Sequence, residues 1–119
     1  MSQLSQAKLQ ELDTLEESIL SAVTGQPDRQ TIEAGLSLAE TRLGTHSGDP
    51  YHLLSALQPA IEGNGKDTTL RVKLGRVYLA ADLPWHTVSL LETNADQLDR
   101  EGKETLGKAQ LALRRFQRQ

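Results

Sequence analysis

Two stretches of this chain nearly coincide when one is laid over the other. Residues 50–57 read PYHLLSAL and residues 84–91 read PWHTVSLL. Pro50 aligns with Pro84, Tyr51 with Trp85, His52 with His86, Ser55 with Ser89 and Leu57 with Leu91, while Leu54 and Val88 are both aliphatic. Proline followed by apolar residues three and four apart is how a helix begins, because the first helical N–H needs no partner. A chain that starts two helices in the same way, 34 residues apart, is built at least in part from a repeated helical unit.

The rest of the chain also reads as helices. Leu4, Leu9, Leu12, Leu15, Ile19, Leu20, Ala22 and Val23 form a broad apolar arc, which predicts a helix over 2–24. Lys8 and Glu16 intrude at the edge of that arc, and Gly25 with Gln26-Pro27-Asp28 marks a stop and a turn. Asp28 caps a second helix that runs to Leu43 through Ile32, Leu36 and Ala39, with Gly44 ending it. Asp49-Pro50 opens a third through Tyr51, Leu54, Leu57 and Ile61, in which Pro59 predicts a kink or an early end. After the Gly63-Asn64-Gly65 break, Asp67 caps a helix over 68–81 that carries Leu70, Leu74, Val77, Tyr78 and Ala81. Asp82-Leu83-Pro84 turns into a helix over 85–98 with Trp85, Val88, Leu91, Ala95 and Leu98 on one stripe, so Trp85 is expected in the core. A last helix over 101–117 carries Leu106, Ala109, Leu113 and Phe116. No segment alternates apolar and polar residues between hairpin turns, so no sheet is expected. The prediction is an all-α fold of about six antiparallel helices in three helix hairpins.

Length and composition narrow the function classes. With 119 residues, 24% charged, the chain is one globular domain's worth. The absence of cysteine excludes thiol nucleophiles, zinc ribbons and disulfide frameworks. No apolar run is long enough for a membrane span, and the first residues lack a charged-then-apolar leader, so no membrane contact and a cytoplasmic location are expected.

The spacing between the two octapeptides, together with Leu74-Gly75-x-x-Tyr78 before the second, resembles the tetratricopeptide repeat. Leu106-Gly107-x-x-Gln110 and Ala34-Gly35-x-x-Leu38 echo the same first-helix pattern. The best motif covers about residues 68–98 and a looser one 28–117, giving a helical-repeat domain over 1–119. Its parts are an N-terminal capping or docking helix (1–25), a degenerate repeat (28–63), the best-defined repeat (67–99) and a C-terminal helix (101–119). Three positions depart from the pattern: Arg71 stands at a bulky aromatic site, Thr87 at a small one, and Asp99 where a proline ends the repeat. The resemblance implies a right-handed array of hairpins, with the glycine allowing close helix packing and the tyrosine filling the space between helices. It also implies a concave groove that binds a partner peptide or helix. Thr69, Val72, Lys73, Arg76, Leu79 and Ala80 would face that groove, Lys73 and Arg76 being three apart and able to grip a carboxylate. The implied role is an adaptor, a chaperone-like holder or an assembly subunit, with the leucine-rich first helix capping the array or docking into a second copy or a partner.

Chemistry-bearing patterns are otherwise thin. His52 and His86 recur because they share a repeat position, and neither belongs to a metal-ligand pair; His46 lies in a polar loop. No serine sits in a nucleophile elbow. Gly63-Asn64-Gly65-Lys66-Asp67-Thr68-Thr69 lacks the spacing and the preceding strand of a phosphate loop. Glu11, Asp13, Glu16 and Glu17 spread around a helix and read as a solvated face, with no calcium-loop pattern. The expectation is therefore no enzyme, no cofactor and no metal. Charge is asymmetric: residues 1–20 balance at −3 and residues 100–119 at +4. Lys108, Arg114, Arg115 and Arg118 make a basic docking surface for an acidic partner or a nucleic-acid backbone. Nucleic acid is the second reading, disfavoured because Phe116 alone is available there for stacking.

Overall fold

The computed structural model describes residues 5–24, 27–63 and 68–117, with side chains to 115 in the last segment. The expectations placed on Leu4, Gly25, Gln26, Asn64, Gly65, Lys66, Asp67, Arg118 and the Phe116 side chain lie outside the described residues. Six α-helices and one 3-10 turn account for nearly all of the rest, with no strand among the described residues: α1 (Gln6–Val23), α2 (Arg29–Thr45), α3 (Tyr51–Gly63), α4 (Thr68–Ala80), α5 (Pro84–Glu92) and α6 (Arg100–Gln117). The chain divides into two compact units, Met1–Asn64 and Gly65–Gln119.

In the first unit α1, α2 and α3 all touch one another. Ser5 opens α1 by accepting from the Lys8 N–H. Asp28 opens α2: its carboxylate accepts from the Thr31 N–H and hydroxyl, both at 2.8 Å, and these bonds hold it below its ordinary carboxylate value. The second helix does not end at Gly44. It runs to Thr45, and His46 takes the left-handed cap conformation at φ 52°, returning its N–H to the last carbonyls. Asp49 accepts from the Tyr51 N–H at the start of α3. That helix continues through Pro59 to Gly63. Pro59 and Ser55 are both exposed, so the hydrogen bond that proline removes lies on the solvent side of the helix, and the chain does not have to break. The core is Ile19, Ile32, Leu36, Leu38, Ala39, Leu53, Leu54, Leu57 and Ile61.

The contact that sets the spacing of α2 on α3 is at Gly35. A Cβ there would lie 2.7 Å and 3.0 Å from the two Leu57 methyls, and 3.4 Å from Ile19 Cγ2. Only a glycine lets the leucine seat that deeply. The apolar arc of α1 is narrower than its sequence suggests. Ile19 alone is fully buried, and Leu15 is 46% exposed.

In the second unit α4, α5 and α6 touch one another. Gly75 of α4 repeats the device of Gly35: a Cβ there would lie 3.0 Å from Leu91 Cδ1 and 3.4 Å from Thr87 Cγ2. Leu57 and Leu91 are the two leucines matched between the repeated octapeptides, so the same pair of residue types builds both hairpins. Thr87, out of pattern by sequence, is fully buried and donates its hydroxyl to the Gly75 carbonyl at 2.8 Å. Tyr78 stacks on His86 at 4.8 Å beside the Asp82 turn, while Gly75 meets Leu91 further from it, so the two helices run antiparallel.

Two expectations are corrected here. The fifth helix stops at Glu92; Ala95–Gln97 form a 3-10 turn, and Leu98 is buried beyond it. Asn94 and Asp96 favour turns over helix interiors, and Asp99 then opens α6 by accepting from the Gly102 N–H at 2.8 Å. Trp85 is not core: it is 47% exposed. The buried arc of α5 is Pro84, Thr87, Leu90 and Leu91, because Thr87 and Leu91 must face Gly75, and Trp85 is thereby turned outward. Gly102 lets α6 approach α4, since a Cβ there would meet Val72 Cγ2 at 2.9 Å.

Nothing lies within 4 Å of a Cβ built on Gly107. Gly35→Leu and Gly75→Leu should therefore each lower stability by about 1–3 kcal/mol through overpacking. Gly107→Ala should raise it by up to about 1 kcal/mol through helix propensity alone. Chemical denaturation of the three variants checks the contrast.

Candidate functional site

The α4 row implied by the repeat resemblance is split by the packing of its own unit. Thr69, Arg76 and Ala80 are exposed, and Lys73 and Leu79 are half-buried. Val72 is corrected: it is 6% exposed, seated against Gly102 of α6, and presents nothing to a partner. The outward row is Thr69, Lys73, Arg76 and Ala80, at spacings of four, three and four, about 16 Å long at 1.5 Å per residue. Arg76 pairs with Glu101 of α6, both about half exposed. Such a pair contributes little to stability and is readily exchanged for another carboxylate.

Lys108, Arg114 and Arg115 are exposed on α6, and Lys103 joins them on its outer side. Arg100 is engaged by Glu104 and Glu101 by Arg76, so the acidic residues of α6 are the ones already paired. This leaves the outer side of α6 net positive.

The most strongly built polar feature was not legible as a site. Arg42, near the end of α2, is 4% exposed. Its Nε donates to Glu16 Oε1 at 3.0 Å, Nη2 to Asp13 Oδ1 at 2.8 Å and Nη1 to the Ser47 carbonyl at 2.8 Å. Burial opposes the charge, but the hydrogen bond to Asp13 and the charges of Glu16 and Asp13 outweigh it and raise the guanidinium above its ordinary value. The acidic cluster of α1 is therefore not simply a solvated face. Asp13 and Glu16, three apart, form a clamp on one arginine, while Glu11 pairs locally with Lys8. The signal was available: Arg42 continues the Ile32, Leu36, Ala39 stripe at a spacing of three, where a cation has to be paired to be buried.

His52 and His46 are exposed, and His86 is held against Tyr78. Among the described residues no group of three histidine, aspartate or glutamate side chains could hold a metal ion, and no helix is long and apolar enough to cross a membrane. No family model, curated protein or solved structure matches the chain.

The clamp should be uneven. Glu16 is 24% exposed and Asp13 68%, so solvent screens the outer pair far more. Glu16→Ala should cost about 1–3 kcal/mol, in the range of a charged hydrogen bond lost in a part-buried setting, and Asp13→Ala less than about 1 kcal/mol. Urea melts of both variants measure the difference.

Proposed function

We propose that this protein is an interaction module of the tetratricopeptide-like kind, which binds a partner peptide or helix along the outer row of α4. The observation that carries the reading is the repeated seating of a leucine on a motif glycine: Leu57 on Gly35 and Leu91 on Gly75. A leucine matched between the two octapeptides meets a glycine in each unit, which supports reading them as repeated packing units of the kind from which helical-repeat binding proteins are constructed. Thr69, Lys73, Arg76 and Ala80 give the row a small-and-basic character that suits an acidic peptide. A partner carboxylate would take Arg76 over from Glu101 at little net cost in charge pairing. An adaptor, a holder of an unassembled subunit or an assembly component would each use such a surface.

The basic outer side of α6, with Lys103, Lys108, Arg114 and Arg115 exposed, supports nucleic-acid association as the second reading.

A pull-down with the intact chain, compared with a Lys73→Glu, Ala80→Glu double variant, separates them. A protein retained by the first bait and lost with the second is the expected result. Equal recovery on both baits contradicts the α4 reading. Nucleic acid that elutes as salt is raised, with no specific protein, transfers the function to α6.

A further inference from the structure

The first helix is held to the first unit in an unusual way. Of its eighteen residues only Ile19 is fully buried, while Leu9, Leu12, Leu20 and Val23 are half-buried. Its polar anchorage is the Asp13–Glu16 clamp on Arg42. Packing beyond the clamp is incomplete. A cleft of about 230 Å³ remains between α1 and the start of α2, with Ser18, Ile19 and Ala22 on one wall and Asp28, Gln30, Thr31 and Ala34 on the other. By contrast, Leu36 of α2 and Leu53, Leu54, Leu57 and Ile61 of α3 are almost completely buried. Of the three helices α1 thus carries the fewest fully buried residues, and a segment with few buried apolar contacts is the first to open.

We propose that the α2–α3 pair is a docking surface for an amphipathic helix of a partner protein, and that α1 covers it as a displaceable built-in occupant. The chemistry of the partner follows from what α1 satisfies and what it leaves unfilled. Arg42 calls for two carboxylates three residues apart, as Asp13 and Glu16 are. The space beside Gly35 takes an aliphatic residue three positions further on, as Ile19 does. The open cleft takes a bulky apolar residue three positions beyond that, where α1 has only Ala22. A partner helix with those four positions reproduces the Arg42 clamp and the Ile19 contact of α1 and fills the cleft as well. It competes against a tethered helix, so its apparent affinity is reduced by the fraction of chains whose α1 is docked. The inference concerns other residues than the α4 row and does not rest on that reading.

The test uses a fluorescein-labelled peptide of residues 5–24 carrying Ala22→Leu, titrated into the intact chain and into a chain with Asp13→Asn and Glu16→Gln, whose own α1 has lost its clamp. The peptide should bind the second chain about tenfold more tightly or better. The same peptide without Ala22→Leu should bind more weakly, and one with Asp13→Lys and Glu16→Lys should not bind. Equal affinity for both chains, no binding to the weakened chain while its circular dichroism remains helical, or undiminished binding of the lysine peptide overturns the proposal. Should the weakened chain fail to fold, the wild-type chain decides. Saturating peptide, made with Lys8→Gln so that trypsin spares it, should release α1 and speed tryptic cleavage of the chain after Lys8, and an unchanged cleavage rate overturns the proposal.

Discussion

The packing in both units depends on the close approach of a leucine to a helix that has no side chain at the point of contact. At Gly35 and again at Gly75, the missing Cβ brings two backbones near enough for a leucine of the following helix to bury completely. Helix pairs with ordinary side chains at the contact stand 8–10 Å apart, and the interaxial distance falls as the residues there shrink. Once α2 and α3, or α4 and α5, are fixed at this distance, the faces of both helices are set. In α5 the consequence is direct: turning Thr87 and Leu91 toward Gly75 turns Trp85 toward water. Thr87 adds a hydrogen bond to the Gly75 carbonyl, so this pair is held by polar as well as apolar contact.

The third helix of each unit is attached by different means. In the second unit, Gly102 lets α6 approach Val72, and an exposed Arg76–Glu101 pair lies along the same contact. In the first, α1 seats Ile19 beside Gly35, half-buries four further apolar side chains and is located by a buried arginine. A buried cation is costly unless it is paired, so the Arg42 clamp specifies where α1 sits more than it adds net stability. That division, between a hairpin set by glycine-seated leucines and a third helix placed by a charge clamp, is the physical basis for treating α1 as an occupant of its surface.

Much of this architecture was legible from local patterns. Helix starts at Asp28 and at Asp49-Pro50, the Asp82 turn and the final helix follow from capping and breaker chemistry that acts within four residues. Leu57 and Leu91, matched between the octapeptides, take equivalent places against Gly35 and Gly75. What was not legible depends on contacts distant in sequence. A helical stripe through Trp85, Val88 and Leu91 is as regular as one through Thr87 and Leu91, and only the position of Gly75 decides between them. Val72 looks like a surface residue until Gly102 is placed against it. Asp13 and Glu16 look solvated until Arg42, 26 residues beyond Glu16, is brought beside them. Asp99, which departs from a repeat-ending proline, is the cap of α6.

Nuclear Overhauser spectroscopy of the intact chain tests the central claim directly. The account requires strong cross-peaks from the Gly35 Hα protons to the Leu57 methyls and from the Gly75 Hα protons to the Leu91 methyls. It requires no cross-peak from Gly107 Hα to the methyls of either leucine. Absence of the first two, with both leucines showing contacts elsewhere, would contradict the glycine-seated packing on which the fold and the proposed surfaces are built.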